Sequence, residues 1–250
     1  ELLKQADIVV TNPPFSLFRE YLAHLIEYDK KFIIIGPRNA ITYKEIFPLI
    51  RGNSLWKGAT GNTTDMVFGV PKGSDIKEAD RLKAERLGYP SDEFRDYTRL
   101  GNACWFTNIE HGRRHEPLQL MTVADNLKFN KKLIKRLAER TEYERYDNFN
   151  AIEVPFTEAI PADYDGVMGV PITFLDKYDP DQFEILFCAE DMDQAAEAGV
   201  EPLGSERFAA YVAAGGGRGD SPGRPRLFLY HPRPHVPFKR IMIRHRRDLK

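Results

Sequence analysis

Residues 6–25 read ADIVVTNPPFSLFREYLAHL, and this stretch decides how the start of the chain is expected to fold. The apolar run at residues 8–10 is typical of a parallel strand that is covered on both faces. The run ends at residues 12–15, NPPF, and apolar residues then recur at helical spacing behind Ser16, a candidate N-cap. A second apolar run, FIIIGP at residues 32–37, predicts another buried strand. Strand, helix and strand in close succession predict a βαβ unit with a right-handed crossover.

The following elements continue this alternation. A helix is predicted at residues 43–50, strands at residues 65–70 and 103–108, and a surface helix within the charged segment 72–99. This order is typical of a doubly wound α/β sheet. Because the chain opens at Glu1 and enters a strand almost at once, we expect it to begin in the middle of such a sheet.

The composition narrows the class of protein. The 250 residues are 42% hydrophobic and 12% aromatic, which is enough for a substantial core. The formal net charge of −1 excludes a uniformly basic nucleic-acid coat but leaves room for local basic patches. Cys104 and Cys188 stand alone in apolar surroundings, so neither a disulfide framework nor a metal-binding spacing is expected, and a reducing cytoplasm is the expected location. The sequence shows no apolar run near the roughly 20 residues of a membrane span, and its scattered histidines predict no metal site.

The NPPF segment stands where ligands of open α/β sheets bind, beyond the carboxyl end of a strand. Pro13 and Pro14 lack backbone N–H groups and fix φ, so this corner is stiff and offers acceptors. It suits a planar ring that carries an exocyclic amine, because the Asn12 side-chain oxygen and the Pro13 carbonyl can each accept one N–H. Phe15 can stack on such a ring. Acceptors outside the ring plane would localise the nitrogen lone pair, so that the amine could attack an electrophilic methyl group in one in-line step.

A structural interpretation of the same four residues is also available. Asn-Pro commonly opens turns, and Pro-Pro commonly precedes helices. The buried strand before the motif and the helix after it favour the functional interpretation.

The motif DIVVTNPPF resembles the catalytic motif of amino-group methyltransferases that use S-adenosylmethionine. The longer blocks FSLFREYLAHLIEYDKKFIIIGPRNAITYKEIFPLI, NACWFTNIEHGRRH and DYDGVMGVPITFLDKYDPDQFEIL are similar to the EcoRI-type adenine-specific DNA methyltransferases in particular. The similarity runs over about residues 5–188 and, more weakly, over the basic strand at the end. It implies the second half of a Rossmann-like methyltransferase sheet, followed by an α+β target-recognition region.

The resemblance also implies the roles of the motif's residues. Asn12 and Pro13 would hold the N6 amine of adenine, Phe15 would stack on the flipped base, and Pro14 completes the catalytic loop. Enzymes of this kind take the target base out of the duplex. The implied cofactor is S-adenosylmethionine, with Asn12 as a candidate contact to it, and the implied partner is double-stranded DNA in a restriction-modification system. No metal and no membrane are implied.

The sequence departs from the family pattern at the cofactor. The glycine-rich cofactor turn of these enzymes normally precedes the catalytic loop, where this chain has only a few residues. Downstream, GVMGV at residues 166–170 does not open a helix and AAGGGRGD at residues 213–220 follows no convincing strand, so both are interpreted as structural glycines. We therefore expect a chain that lacks its N-terminal part, and either a monomer or a piece that requires the missing part is compatible with the sequence.

Residues elsewhere, most of them basic, are candidates for DNA contacts. They are Arg38 and Asn39, which follow the second strand, Arg113 and Arg114 after a later strand, and Lys131 and Lys132 on a predicted helix. A solvated surface is the alternative for the basic side chains, and a helix cap is the alternative for Asn39.

The domains are predicted as a partial catalytic core at residues 1–110, a target-recognition region at 111–188, an Ala/Gly-rich linker or insert at 189–225, and a basic C-terminal segment at 226–250. The strand predicted at residues 240–243 of this last segment either wraps DNA or forms a charged edge strand.

Two rival functions remain open. One is an RNA or protein-glutamine methyltransferase with the same loop, and the other is a non-catalytic DNA-binding fragment.

Overall fold

The computed structural model describes residues 2–59, 65–138, 140–217, 221–231 and 233–246. The chain divides into two compact units, Glu1–His111 and Gly112–Lys250, and each combines helices with strands. Within the described residues, no helix has both the length and the apolar character that crossing a membrane requires.

The first unit alternates helices and strands. Its elements are α1 (Leu2–Gln5), β1 (Ile8–Thr11), α2 (Phe18–Glu27), β2 (Lys31–Pro37), α3 (Phe47–Arg51), β3 (Trp56–Lys57), β4 (Met66–Pro71), α4 (Glu78–Arg86), β5 (Arg95–Leu100) and β6 (Ala103–Thr107). Short 3-10 turns follow the first two strands, at Phe15–Leu17 and Arg38–Thr42.

Four of these strands form one sheet in the order β1-β2-β6-β3. β1 and β2 are parallel, with Val10 beside Ile33, as expected for a βαβ unit. β6 runs antiparallel to both β2 and β3, so the sheet is mixed.

The core of this unit forms where α2 packs on β2. Phe18, Leu22 and Leu25 of α2 are fully buried, at the i, i+4, i+7 spacing that the sequence predicts. The expected capping by Ser16 is wrong, because Ser16 lies inside the 3-10 turn and no side chain caps α2. The Pro14 carbonyl instead accepts the Leu17 N–H at 2.9 Å, so the prolines open the turn through a main-chain bond.

The segment predicted to hold only a surface helix contains α4 and also β5. β5 pairs antiparallel with β4 in a separate two-stranded sheet. Its sequence, RDYTRL, lacks a continuous apolar run, so the apolar pattern does not predict it. Asp96 of β5 accepts hydrogen bonds from the Gly73 N–H and the Lys72 ammonium, and the Gly73 bond contributes most to lowering the Asp96 pKa to about 2.

The second unit has its own sheet. Its elements are α5 (Val123–Phe129), α6 (Lys131–Leu137), β7 (Ala151–Glu153), β8 (Val167–Pro171), β9 (Phe183–Cys188), α7 (Met192–Glu197), α8 (Ser205–Ala213) and β10 (Arg240–His245). The strands lie in the order β7-β8-β10-β9, with β7 and β8 parallel and β10 antiparallel to both of its neighbours.

The position of β10 corrects one sequence-based alternative. The sequence allows a charged edge strand here, but β10 lies between β8 and β9. Ile241, Met242 and Ile243 are fully buried, because hydrogen-bonded neighbours on both sides leave these side chains inside the unit. The strand itself therefore offers no free edge to DNA or to another chain.

The Ala/Gly-rich segment at residues 189–225, predicted as a linker or an insert, contains regular structure. It contains α7 and α8, and Asp191 caps α7 by accepting the N–H groups of Asp193 and Gln194. Ala195 and Val200 are buried in the same hydrophobic cluster as Met242 of β10. This part of the segment therefore belongs to the core of the second unit, while residues 218–220 of the predicted glycine stretch lie outside the described residues.

Candidate active site

The NPPF segment lies at the carboxyl end of β1, as the sequence predicts. The predicted burial of this strand is wrong, because β1 lies at the edge of the described sheet and Ile8 and Val10 are exposed. β1 ends at Thr11, which lies beside Ile34 of β2, and the parallel pairing brings the carboxyl ends of both strands to one edge of the sheet. This is the edge at which open α/β sheets bind ligands.

The loop is held by the packing of Phe18 directly behind it. The Phe18 ring is fully buried and its centroid lies 5.1 Å from that of Phe106 on β6. A Cβ added at Gly36 of β2 would collide with Phe18 Cε2, so only glycine leaves room for this ring. The start of α2, and with it the loop, is therefore positioned by a close approach of helix and strand.

The residues of the loop differ in their exposure and in their hydrogen bonds. Asn12 and Pro14 are exposed, Pro13 is buried and Phe15 is 37% exposed. Among the residues that the structure describes, none donates a hydrogen bond to the Asn12 side chain or to the Pro13 carbonyl, whereas the Pro14 carbonyl is used by Leu17. Two acceptors and part of an aromatic face are thus available at the strand end.

Arg38 and Asn39 follow β2 at the same edge of the sheet. The Arg38 Nη2 lies 3.9 Å from Asp65 Oδ1, and the other carboxylate oxygen of Asp65 pairs with Arg99 at 3.2 Å. Asn39 Oδ1 accepts the Tyr43 hydroxyl at 3.3 Å, so its amide is partly occupied, and no helix N-cap is formed by it.

Sequence reasoning did not identify a neighbouring pair, Arg19 and Tyr43. The Arg19 guanidinium lies 5.7 Å from the centre of the Tyr43 ring and pairs with Glu45 at 3.2 Å. Arg19 stands four residues after Phe15, a spacing that points to the same side of a helix and could have drawn attention to it.

The basic residues predicted on the second unit differ in their exposure. Arg113 is exposed, and so are Lys131 and Lys132 in the first turn of α6, where Asn130 forms the N-cap. Arg114, in contrast, is only 7% exposed. A buried guanidinium offers little surface to a phosphate, so the structure argues against a DNA contact by Arg114.

Three groups with metal-binding chemistry meet in this unit, although the sequence predicts no metal site. Ligand atoms of His115, Asp179 and Asp181 lie within 4.8 Å of one another. His115 Nδ1 is 2.8 Å from Asp181 Oδ2, and Asp179 Oδ1 accepts the Asp181 N–H at 2.9 Å. These hydrogen bonds account for the cluster as a structural turn.

Neither cysteine forms a disulfide, and both are buried. Burial raises the pKa of the Cys188 thiol to about 11, so Cys188 is protonated near neutral pH and has no nucleophilic character.

Comparison with known proteins agrees with these features. The family model described as adenine-specific methyltransferase EcoRI matches residues 1–245. The chain is 42% identical over 197 residues to the type II methyltransferase M.EcoRI of Escherichia coli, which covers 78% of this chain and 54% of the relative. It is 36% identical over 188 residues to M.MgeORF184P of Mycoplasma genitalium (75% of this chain, 54% of the relative). It is 35% identical over 187 residues to M.MpnI of Mycoplasma pneumoniae (75% and 53%).

The chain spans about half the length of these curated relatives. No solved structure gives a significant match.

Proposed function

Because this chain belongs to the EcoRI-type family of adenine-specific methyltransferases, we propose that it supplies the target-base site of an enzyme that methylates adenine N6 in double-stranded DNA. The observation that carries this proposal is the NPPF corner, where the Asn12 side chain and the Pro13 carbonyl accept no hydrogen bond from the described residues and lie beside a partly exposed Phe15. The proposed context is restriction-modification, as the names of the relatives indicate for those proteins.

The corner can act on an adenine that has been taken out of the duplex. The Asn12 oxygen and the Pro13 carbonyl accept the two N6–H groups, and Phe15 stacks on the base at roughly 1–3 kcal/mol. The two acceptors hold the nitrogen with its lone pair directed at the methyl donor, so that positioning and electrostatics lower the barrier. Pro14 keeps the acceptors fixed, because its φ is fixed by the ring and its carbonyl opens the following turn.

The architecture proposed for the first unit is part of a Rossmann-like methyltransferase sheet. The parallel β1–α2–β2 unit supports this, and so does the exposure of β1 at the edge of the described sheet. Ile8 and Val10 are 55% and 65% exposed there. An edge strand with exposed apolar side chains is expected where a further strand pairs with it, so that it lies inside a larger sheet.

S-adenosylmethionine is the proposed methyl donor, and it would supply an electrophilic methyl group. The described residues do not provide the glycine-rich turn expected to hold it. Gly169 lies in β8, where a Cβ would collide with the Tyr146 hydroxyl, and Gly215 and Gly217 adopt positive φ after α8. These glycines serve packing and turns. The role assigned to this chain is therefore limited to the target base, with Asn12 as a candidate contact to the donor.

The proposal is tested by a tritiated-methyl transfer assay on duplex DNA, run with the 250-residue chain. We expect Asn12→Ala to reduce methyl transfer by about 100-fold or more, because one acceptor is removed where charge develops. Binding of S-adenosylmethionine, measured by calorimetry, should fall far less than methyl transfer, since Asn12 is a single candidate contact to the donor. Ser16→Ala is the matched control, since Ser16 is an exposed polar residue of the same loop. Equal turnover of Asn12→Ala and wild type would contradict the proposal.

A further inference from the structure

Phe238, which precedes β10, carries the most exposed large hydrophobic side chain among the described residues. It is 75% exposed, although the strand that begins two residues later is buried in the second unit. Single exposed apolar residues are common on protein surfaces, so exposure by itself means little. What distinguishes Phe238 is how firmly its backbone is held.

Three hydrogen bonds anchor the main chain on either side of the Phe238 ring. The Arg240 Nη1 donates to the Phe238 carbonyl at 2.8 Å. The Lys239 N–H donates to Glu190 Oε1 at 3.1 Å, and the Lys239 carbonyl accepts the Ile172 N–H at 3.1 Å. Lys239 adopts a φ of +43°, in the left-handed region that non-glycine residues rarely occupy. A strained residue and three hydrogen bonds thus fix the backbone at a phenyl ring that is exposed to solvent. Such a fixed backbone is typical of a contact site and not of a mobile loop.

The segment that carries Phe238 also carries cationic side chains. The Lys239 ammonium lies 5.4 Å from the centre of the Phe238 ring. The preceding loop is closed by paired backbone bonds of 3.0 and 2.9 Å between Leu229 and His235, and it presents an exposed Arg233. The nearby acidic group, Glu190, is occupied by the Lys239 N–H and by Arg226, 3.8 Å away.

We propose that Phe238 stacks on a base of the DNA substrate while Lys239 and Arg233 contact the phosphates next to it. An aromatic side chain flanked by cations suits a nucleic acid, because the ring can insert at a base step and stack on the base there while the adjacent phosphates offer negative charge. A protein partner would require a larger continuous apolar area than one ring. This inference rests on the proposed function. It places a DNA contact in the loop before β10, while β10 itself is interior.

The test is the affinity of the chain for a fluorescent duplex, measured by anisotropy over a range of salt concentrations. We expect Phe238→Ala to weaken binding by about tenfold, with the slope of log K against log salt unchanged, because the phenyl ring neutralises no phosphate. Phe238→Trp should bind as wild type, since the indole also stacks. Lys239→Gln and Arg233→Gln should each reduce the slope by about 0.9.

Phe94 offers a matched control. It is 74% exposed in the first unit, and its N–H is also bonded, to Asp92 Oδ1 at 2.8 Å. Phe94→Ala should therefore bind DNA as wild type does. If the wild type binds the duplex and Phe238→Ala binds it equally well, or if Phe94→Ala weakens binding as much, the stacking contact is excluded while the proposed function stands. If the folded wild-type chain does not bind duplex DNA at all, the proposed function fails, and this inference fails with it.

Discussion

Glu153, on β7, joins two side chains from distant parts of the second unit. Its side chain is 2% exposed, and both carboxylate oxygens accept a hydrogen bond from the Arg240 Nε at 3.0 Å. The Tyr146 hydroxyl also donates to this carboxylate. Burial first, and then the Glu153 charge, raise the pKa of Tyr146 well above its usual value, so this hydroxyl remains a donor at neutral pH. Because Arg240 also binds the Phe238 carbonyl, the network supports the loop before β10.

We expect Glu153→Gln to lower the free energy of unfolding by about 3 kcal/mol, because it leaves the Arg240 cation buried without its counter-charge. Urea denaturation followed by circular dichroism measures this change. Glu184→Gln is the control, since Glu184 pairs with Arg244 at 2.7 Å where both side chains are largely exposed, and it should cost less than about 1 kcal/mol. Equal decreases in the free energy of unfolding of the two variants would show that the buried ion pair stabilises the protein no more than the exposed one.

At the scale of elements, the catalytic loop depends on the contact between α2 and β2. The NPPF corner has stiff prolines, but its place at the sheet edge comes from Phe18, whose ring occupies the space that Gly36 leaves open. A glycine inside a strand usually marks such a close approach.

Gly36→Ala should therefore impair the loop without changing any group that contacts the base. The added Cβ would force Phe18 to move, so we expect a decrease of about 1–3 kcal/mol in stability and at least about a tenfold decrease of methyl transfer per folded molecule. Gly69→Ala serves as the control, because its Cβ would lie 3.4 Å from Tyr97, an ordinary contact. If Gly36→Ala retained full turnover, Phe18 would not be what positions the loop.

At the scale of the whole molecule, the net charge of −1 conceals local basic surfaces. Arg113, Lys131 and Lys132 are exposed on the second unit, and α6 carries four basic residues and no acidic one, with the sequence KKLIKRL. Such a surface would release counterions on binding DNA.

Replacing Arg113, Lys131 and Lys132 together by Gln should reduce the slope of log K against log salt by about 0.9 for each phosphate that the wild-type side chains neutralise. Anisotropy titrations with a duplex at several salt concentrations measure the slope. The control replaces Lys83 and Arg86 of α4 by Gln. These are two exposed cations among acidic neighbours, and their replacement should leave the salt slope unchanged. A triple variant with the wild-type slope would assign these residues to the solvated surface.

The sequence by itself determined the βαβ unit, the strand-end position of NPPF, the basic helix α6 and the family. The first three depend on residues close together in the chain, where apolar period, proline and charge act locally, and the family follows from blocks of sequence spread along the chain. The tertiary structure alone decided that β6 runs antiparallel, that β10 lies inside its sheet, that Arg114 is buried and that α7 and α8 form within the Ala/Gly-rich segment. It also decided that Phe238 is held exposed by Glu190, Ile172 and Arg240. These features depend on partners far away in the chain, and packing against such partners overrides local pattern.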